Sequence, residues 1–152
     1  DVRLSLNNDF HASIAILLAS VGVRFAPEAV YSYRRLAGSS LSRSRSRKAM
    51  ESAFLTTRLG CDLLIARENS LRIRGLCANR YQRWAFDFWP LHPDLTTTTL
   101  SIVQELGGAT VPFPGGRVGT LLASWLGWKA VRRLQQVAGY LGWRYVQSLK
   151  QR

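Results

Sequence analysis

The sequence has few of the residues from which catalytic and metal sites are built. Its two histidines, His11 and His92, stand in no metal-ligand spacing with Cys61 or Cys77. No phosphate-binding Gly-x-x-x-x-Gly-Lys-Ser pattern occurs. The acidic residues are scattered over different segments, so no two of them can be paired as general acid and general base. We therefore expect a binding protein that is not an enzyme, with no cofactor and no metal.

Cysteine is scarce and long apolar runs are missing. Two cysteines do not make a disulfide framework, which favours reduced thiols in an intracellular protein. Asp9 and His11 interrupt any apolar run near the first residue, so we expect no signal peptide there. The longest apolar candidate, residues 118–131, contains Lys129 and is too short to span a bilayer.

Acidic residues are also few beside the basic ones. The chain has nine Asp and Glu and 21 Lys and Arg, which gives a formal net charge of +12. No acid follows Glu105, so the last third of the chain is the main positive surface. Such a surface attracts nucleic acid, anionic lipid or an acidic protein, and charge alone does not choose among them.

The remaining composition is that of an ordinary globular chain. With 152 residues, 47% of them hydrophobic, we expect one domain over 1–152 with its own core. Residues 38–48 are rich in serine and arginine and nearly free of apolar side chains. We predict a flexible, solvated loop there, and an RNA-binding or phosphorylated tract is the alternative.

Strand signals are weak and helical periodicity recurs, which predicts an all-α fold. Asn7 or Asn8 can cap the first helix, and Gly22 would end it. Three predicted helices cover about residues 8–21, 48–65 and 70–86, and a shorter one after Pro27 carries Val30, Tyr33 and Leu36. A further helix is capped by Asp94 and ends at Gly107 and Gly108. Two more helices follow the turn at 112–116.

The most apolar segment of the chain follows the turn at Pro114–Arg117. Between residues 118 and 131 apolar side chains lie nearly all round the helix, so we expect it to be central and buried on most sides. A last helix carries apolar residues from Leu134 to Leu149. Five tryptophans would mostly form the core or the walls of a groove, and such aromatics also anchor protein interfaces.

Residues 95–122 carry a two-part motif. Ser101–Leu106 reads Ser-Ile-Val-Gln-Glu-Leu, and after a glycine turn Gly116–Leu122 reads Gly-Arg-Val-Gly-Thr-Leu-Leu. This resembles the first homology motif of the Bcl-2 family, where a helix ending in Glu-Leu leads to Asn-Trp-Gly-Arg and a buried hairpin helix. Gly116 and Arg117 match the last two positions, and Pro114 and Gly115 replace the Asn and Trp.

The third homology motif of that family has two candidate placements. Residues 71–75, followed by 80–86, are similar to it, but Leu76 stands where the family has Asp. Residues 59–62 keep both a Gly and an Asp, although their distance from Arg117 suits the family less well. Residues 9–10 resemble the fourth motif, and Trp143 is the nearest candidate for the second.

The resemblance implies a Bcl-2-like helical bundle around a central apolar helical hairpin, with a surface groove for an amphipathic partner helix. Arg117 would pair with an Asp of that helix, and Gly116 would let its backbone approach closely. The implied groove residues are Val103, Leu106, Val118 and Leu121 on the floor, and Leu71, Tyr81 and Phe86 on the other wall.

The implied function is that of a pro-survival protein, most like a diverged viral member of the family. It would bind the BH3 helices of pro-apoptotic proteins and inhibit apoptosis, in the host cytoplasm or at the mitochondrial outer membrane surface. Homodimerisation and peripheral contact with an anionic membrane are further expected associations, and no nucleic acid is expected as a partner. Two alternatives stay open: a basic accessory subunit of a large assembly that binds RNA or lipid, and a membrane-active, pore-forming relative.

Overall fold

The computed structural model describes residues 4, 6–30, 32 and 44–150. Within these ranges the regular elements are helices and no strand occurs, which confirms the predicted all-α class. The predicted positions Tyr33, Leu36 and 38–43 lie outside the described residues, as does the side chain of Trp143. The described helices are α1 (Asn8–Ala19), α2 (Arg47–Arg67), α3 (Leu71–Phe88), α4 (Pro93–Glu105), α5 (Gly116–Leu126) and α6 (Trp128–Lys150).

Helix α1 begins where the sequence predicts and ends earlier. Asn7 holds the N-cap position, but its side chain makes no capping hydrogen bond; its Oδ1 accepts instead from Arg80 at 2.7 Å. Ser20 is the C-cap, and its hydroxyl donates to the Ile16 carbonyl, so the helix stops before Gly22. Residues 27–28 form only a turn, and no helix occurs in 27–30.

The start of α2 corrects the predicted extent of the serine and arginine loop. Ser46 is the N-cap and accepts a hydrogen bond from the Ala49 amide, so Arg47 and Lys48 belong to the helix. The Arg47 guanidinium lies 2.7 Å from the carboxylates of both Glu51 and Asp94. Hydrogen bonding from Arg47 holds the pKa of Asp94 down at about 2. These contacts fix the first turn of α2 against α4.

Helix α4 has a different N-cap from the predicted one. His92 occupies the cap position, Pro93 is the first helical residue, and Asp94 lies in the first turn. The hydroxyls of Thr96, Thr97 and Thr98 donate to carbonyls four residues earlier, which satisfies these hydroxyls within the helix. Gly107 and Gly108 both have positive φ and close the helix as predicted.

The core lies between α1, α2, α3 and α4, and it consists of two buried clusters. Leu6 and Phe88 lie in the first cluster beside the start of α2 and α4. Ser52 ties the residues before α1 to α2, because its hydroxyl accepts from the Leu6 amide at 3.0 Å. The second cluster consists of Cys61, Ile73, Cys77, Tyr81 and Val103.

Helix α5 is not the buried central helix that its composition predicts. Gly119 is its only buried residue, and Val118 and Trp125 are 72% and 84% exposed. The helix packs mainly against α6, and much of its apolar surface is exposed among the described residues. The α5–α6 hairpin meets the rest of the fold through Phe86, Phe113 and Val131. None of the described helices is long and apolar enough to cross a membrane.

Two glycines on adjacent helices offer a matched test of the packing of α1 on α2. A Cβ at Gly60 would lie 2.6 Å from Cε1 of Phe10, whereas one at Gly75 would meet nothing within 4 Å. Alanine improves helix propensity equally at both sites, so the difference between the two variants isolates the clash. We expect Gly60→Ala to be less stable than Gly75→Ala by about 1–3 kcal/mol in urea unfolding. Equal stability would mean that α1 does not hold this position.

Candidate functional site

The turn before α5 is built to present the first residues of that helix to solvent. The Gly115 amide donates to the Phe113 carbonyl at 2.9 Å, and the Thr120 hydroxyl donates to the same oxygen at 3.2 Å. The Phe113 ring lies so close under Gly115 that a Cβ there would be 2.7 Å from it. Gly116 has a φ of +64°, a left-handed conformation that favours glycine. The chain therefore enters α5 at Gly116, as the sequence predicts.

Arg117 lies exposed in the first turn of α5. No described carboxylate forms an ion pair with it, and the first turn of the helix contains no acid. The unpaired amides at a helix N-terminus favour a negative charge, and the guanidinium fork suits a carboxylate. A carboxylate placed beside Arg117 would therefore gain from both groups.

An exposed apolar stripe runs along α5 from the turn that carries Arg117. Val118, Leu121, Leu122 and Trp125 recur at helical spacing and are all exposed. Leu134 and Val137 continue the apolar surface on α6. Exposed contiguous apolar surface of this kind is typical of a protein or membrane interaction site.

A hollow of about 430 Å³ borders the same turn, between α3 and residues 111–114. The Phe86 ring forms part of its lining and packs edge-on against the rings of Phe113 and Trp128. Asp87 lies at its edge, where Arg45 and Arg132 each approach its carboxylate to 3.2 Å. The carboxylate of Asp87 is thus already paired, whereas Arg117 has no ion-pair partner among the described residues.

The structure does not bring the predicted groove residues together on one surface. Tyr81 and Val103 lie in the second core cluster, and Leu106 packs against it. Tyr81 was expected on one wall of the groove and the other two on its floor, but all three contact the same buried cluster. Phe86 is buried with Phe113 and Val131. Leu71 is 89% exposed at the start of α3. Arg117, Gly116, Val118 and Leu121 form the exposed part of the predicted set.

The two candidate placements of the third motif differ in their surroundings. Gly60 lies at the close crossing of α1 and α2, where Phe10 and Ile14 leave room for no side chain. Gly75 has open space around it on α3. Only at Gly60 does the lack of a Cβ allow two helices to pack closely. The spacing of glycines in the sequence does not indicate this difference between Gly60 and Gly75.

Sequence reasoning assigned no role to a second hollow of about 370 Å³ between α1, α2 and α3. Cys61, Cys77 and Arg80 are among its lining residues. The Arg80 guanidinium stacks over the Phe10 ring at 4.3 Å, and partial burial lowers the pKa of Arg80. The cysteines lie 16 positions apart, so only the tertiary fold brings them together. In the described residues no group of three or more His, Cys, Asp or Glu is placed to hold a metal ion.

The site can therefore bind through charge and apolar contact, with Arg117 as its exposed cation. Comparison of the chain with known protein families, with curated proteins and with solved structures found no match.

Proposed function

We propose that the chain is a pro-survival, Bcl-2-like protein that binds BH3 helices of pro-apoptotic proteins and so inhibits apoptosis. The observation that carries this proposal is the exposed Arg117 at the start of an apolar stripe on α5, with no ion-pair partner in the part of the chain that the structure describes. A BH3 helix offers the complementary pair, an apolar face and an aspartate.

The spacing of the α5 stripe supports a helical partner. Val118, Leu121 or Leu122, and Trp125 stand three or four positions apart, which is the interval at which an amphipathic helix repeats its own anchors. Two such helices can lie side by side with their apolar residues in contact. The hollow beside Phe86 lies next to the same turn and can receive a side chain that extends past the start of α5.

The buried members of the predicted set act indirectly in this proposal. Tyr81 and Val103 pack α3 against α4, and Phe86 closes the hollow from beneath. Gly116 keeps the surface beside Arg117 free of a side chain, so a partner backbone can approach it. The contacting residues would be Gly116, Arg117, Val118 and Leu121.

Titration with a panel of fluorescent BH3 peptides tests the proposal. At least one peptide should bind, and Leu121→Glu should weaken that binding because it places a carboxylate on the apolar stripe. Ile16→Glu is the matched control, since Ile16 is 66% exposed on α1 and lies away from α5. Circular dichroism would establish that both variants keep their helices. Absence of binding by every peptide would overturn the proposal.

One observation favours a second candidate, a membrane-active function of the α5–α6 hairpin. The hairpin exposes apolar residues on both helices, and no acid follows Glu105. Lys129, Arg132 and Arg133 place positive charge at the start of α6. A basic helix pair with an exposed apolar face is suited to the surface of an anionic bilayer, such as a mitochondrial outer membrane.

Vesicle flotation separates this candidate from peptide binding. The protein should float with vesicles containing an anionic lipid, and added salt should reduce the bound fraction because it screens the basic residues. Trp125→Glu should remove most binding, whereas Ile16→Glu should leave it unchanged. Equal binding to uncharged phosphatidylcholine vesicles, or no binding to either kind, would contradict the membrane-active function.

A further inference from the structure

The two cysteines of the chain meet in the core although they lie on different helices. Cys61 on α2 and Cys77 on α3 are each 1% exposed, and both are free thiols. Both belong to the second core cluster, and both line the same hollow. Packing alone does not require two thiols here, since any small apolar residue would fill such a position.

The hollow between α1, α2 and α3 lies beside this pair, so a small local opening of the packing would expose the buried sulfurs to it. Cys61 and Cys77 both line it, together with Leu76, Arg80 and Arg83. Leu76 and Arg83 are exposed at its rim. A volume of about 370 Å³ exceeds by roughly tenfold the ≈ 30 Å³ that one water molecule occupies in the liquid, so a small oxidant can enter.

The charges around the two sulfurs make them chemically unequal. The neighbouring Cys61 thiol lowers the pKa of Cys77, against the opposing effects of burial and of Asp62. The neighbouring Cys77 and burial raise the pKa of Cys61. Arg80 lies close enough to favour negative charge at this pair, and its Nε has no hydrogen-bond partner among the described residues. These directions favour Cys77 as the thiol of the pair that ionises more readily.

We propose that Cys61 and Cys77 form a dithiol site that hydroperoxides oxidise to an intrachain disulfide. The Cys77 thiolate attacks the peroxide, so that an S–O bond forms, the O–O bond breaks, and the departing oxygen leaves as water or an alcohol after protonation. The Cys61 sulfur, once deprotonated, attacks the sulfenic sulfur of Cys77. An S–S bond forms, the S–O bond breaks, and hydroxide leaves as water.

The disulfide would join α2 directly to α3 beside Tyr81 and the hollow. It adds a covalent constraint to the second core cluster, and a reductant such as a small thiol returns the pair to the free state. The dithiol site does not involve α5 or Arg117, so a test of it is independent of the proposed binding function.

Treatment of the folded protein with hydrogen peroxide tests this proposal. Intact mass should show the loss of two hydrogen atoms, and peptide mapping without reduction should find Cys61 joined to Cys77. The oxidised protein should unfold at higher denaturant concentration, and reduction should reverse that shift. A disulfide between two chains, or oxidation only after unfolding, would overturn the proposal.

Single variants test the order of the two steps. In Cys61→Ser the sulfenic acid at Cys77 has no resolving thiol, so dimedone should trap it there. In Cys77→Ser the remaining Cys61 thiol is still buried, and burial raises its pKa, so it should gain dimedone far more slowly under the same conditions. Faster labelling of Cys61 than of Cys77 would contradict the assignment, and circular dichroism of both variants would establish that they remain folded.

Discussion

Replacing Phe86 with alanine should release the α5–α6 hairpin from α3. The Phe86 ring is 4% exposed and packs edge-on against Phe113 at 5.4 Å and Trp128 at 5.0 Å. Removing a buried phenylalanine ring costs about 3–5 kcal/mol, and a domain of this kind has only about 5–15 kcal/mol in total. Among the described residues, the loss falls on the buried cluster that joins the hairpin to the rest of the fold.

Hydrogen exchange distinguishes local release from general unfolding. Phe86→Ala should remove amide protection from α5 and the start of α6 while α2, α3 and α4 stay protected. Phe88→Ala is the matched control, because Phe88 is fully buried in the first core cluster and should lower protection throughout those helices. The polar contacts that remain in Phe86→Ala include those of Arg132 with Asp87 and with the backbone carbonyl at position 86, and that of the Trp89 indole with the Lys129 carbonyl. Unchanged protection of α5 would show that these contacts hold the hairpin by themselves.

The helices of the core could be predicted from the sequence because each carries a local signal. The apolar stripe from Met50 to Leu64 predicts α2, and Ser70 is placed to cap α3, where its hydroxyl accepts from the Ile73 amide. The turn before α5 could be predicted equally well, because glycine and proline favour particular backbone angles that depend little on the rest of the fold. Arg117 therefore lies in the first turn of α5, as the position of the turn predicts.

The burial of α5 could not be predicted in the same way. Apolar residues round a helix indicate that it prefers to be covered, but they do not say what covers it. In the described chain α5 packs mainly against α6, Ala123 contacts the cluster of Phe86, Phe113 and Val131, and an exposed stripe remains. For the same reason the sequence could not show that Tyr81 and Val103 are buried in the core, because their apolar side chains would suit a groove wall equally well.

Tertiary contacts between distant residues carried no local signal at all. Nothing in the sequence around Gly60 distinguishes it from Gly75, yet only Gly60 lies against Phe10. The meeting of Cys61 with Cys77 depends on how α2 crosses α3, which neither spacing nor composition determines. Both features follow from the packing of whole helices.

Charge reversal at Arg117 should cause the largest loss of BH3-peptide binding. Arg117 is exposed and has no ion-pair partner among the described carboxylates, so its replacement costs the free protein little. In the complex, a desolvated aspartate would lose its partner, which costs about 2–5 kcal/mol. Since each 1.4 kcal/mol is a factor of ten, Arg117→Glu should weaken binding by about 30-fold or more.

Arg67→Glu controls for the change in net charge. Arg67 is exposed at the end of α2, and its reversal alters the formal charge of the chain by the same amount. It should lower the association rate slightly through the long-range field and leave the dissociation rate unchanged. Arg117→Lys keeps the charge but loses the planar fork, so its affinity should lie between the native protein and Arg117→Glu. An equal loss for Arg67→Glu and Arg117→Glu would assign the effect to net charge.

A charge swap between the two partners decides whether Arg117 meets the peptide aspartate directly. A peptide with lysine in place of that aspartate should bind the native protein weakly, because two cations would face each other. The same peptide should recover affinity for Arg117→Glu, and the double-mutant cycle should give a coupling energy well above the ~0.2–1 kcal/mol of an exposed ion pair. Additive losses would place the aspartate elsewhere on the surface. Recovery would place it at the first turn of α5, where the exposed guanidinium and the free helix amides both favour a carboxylate.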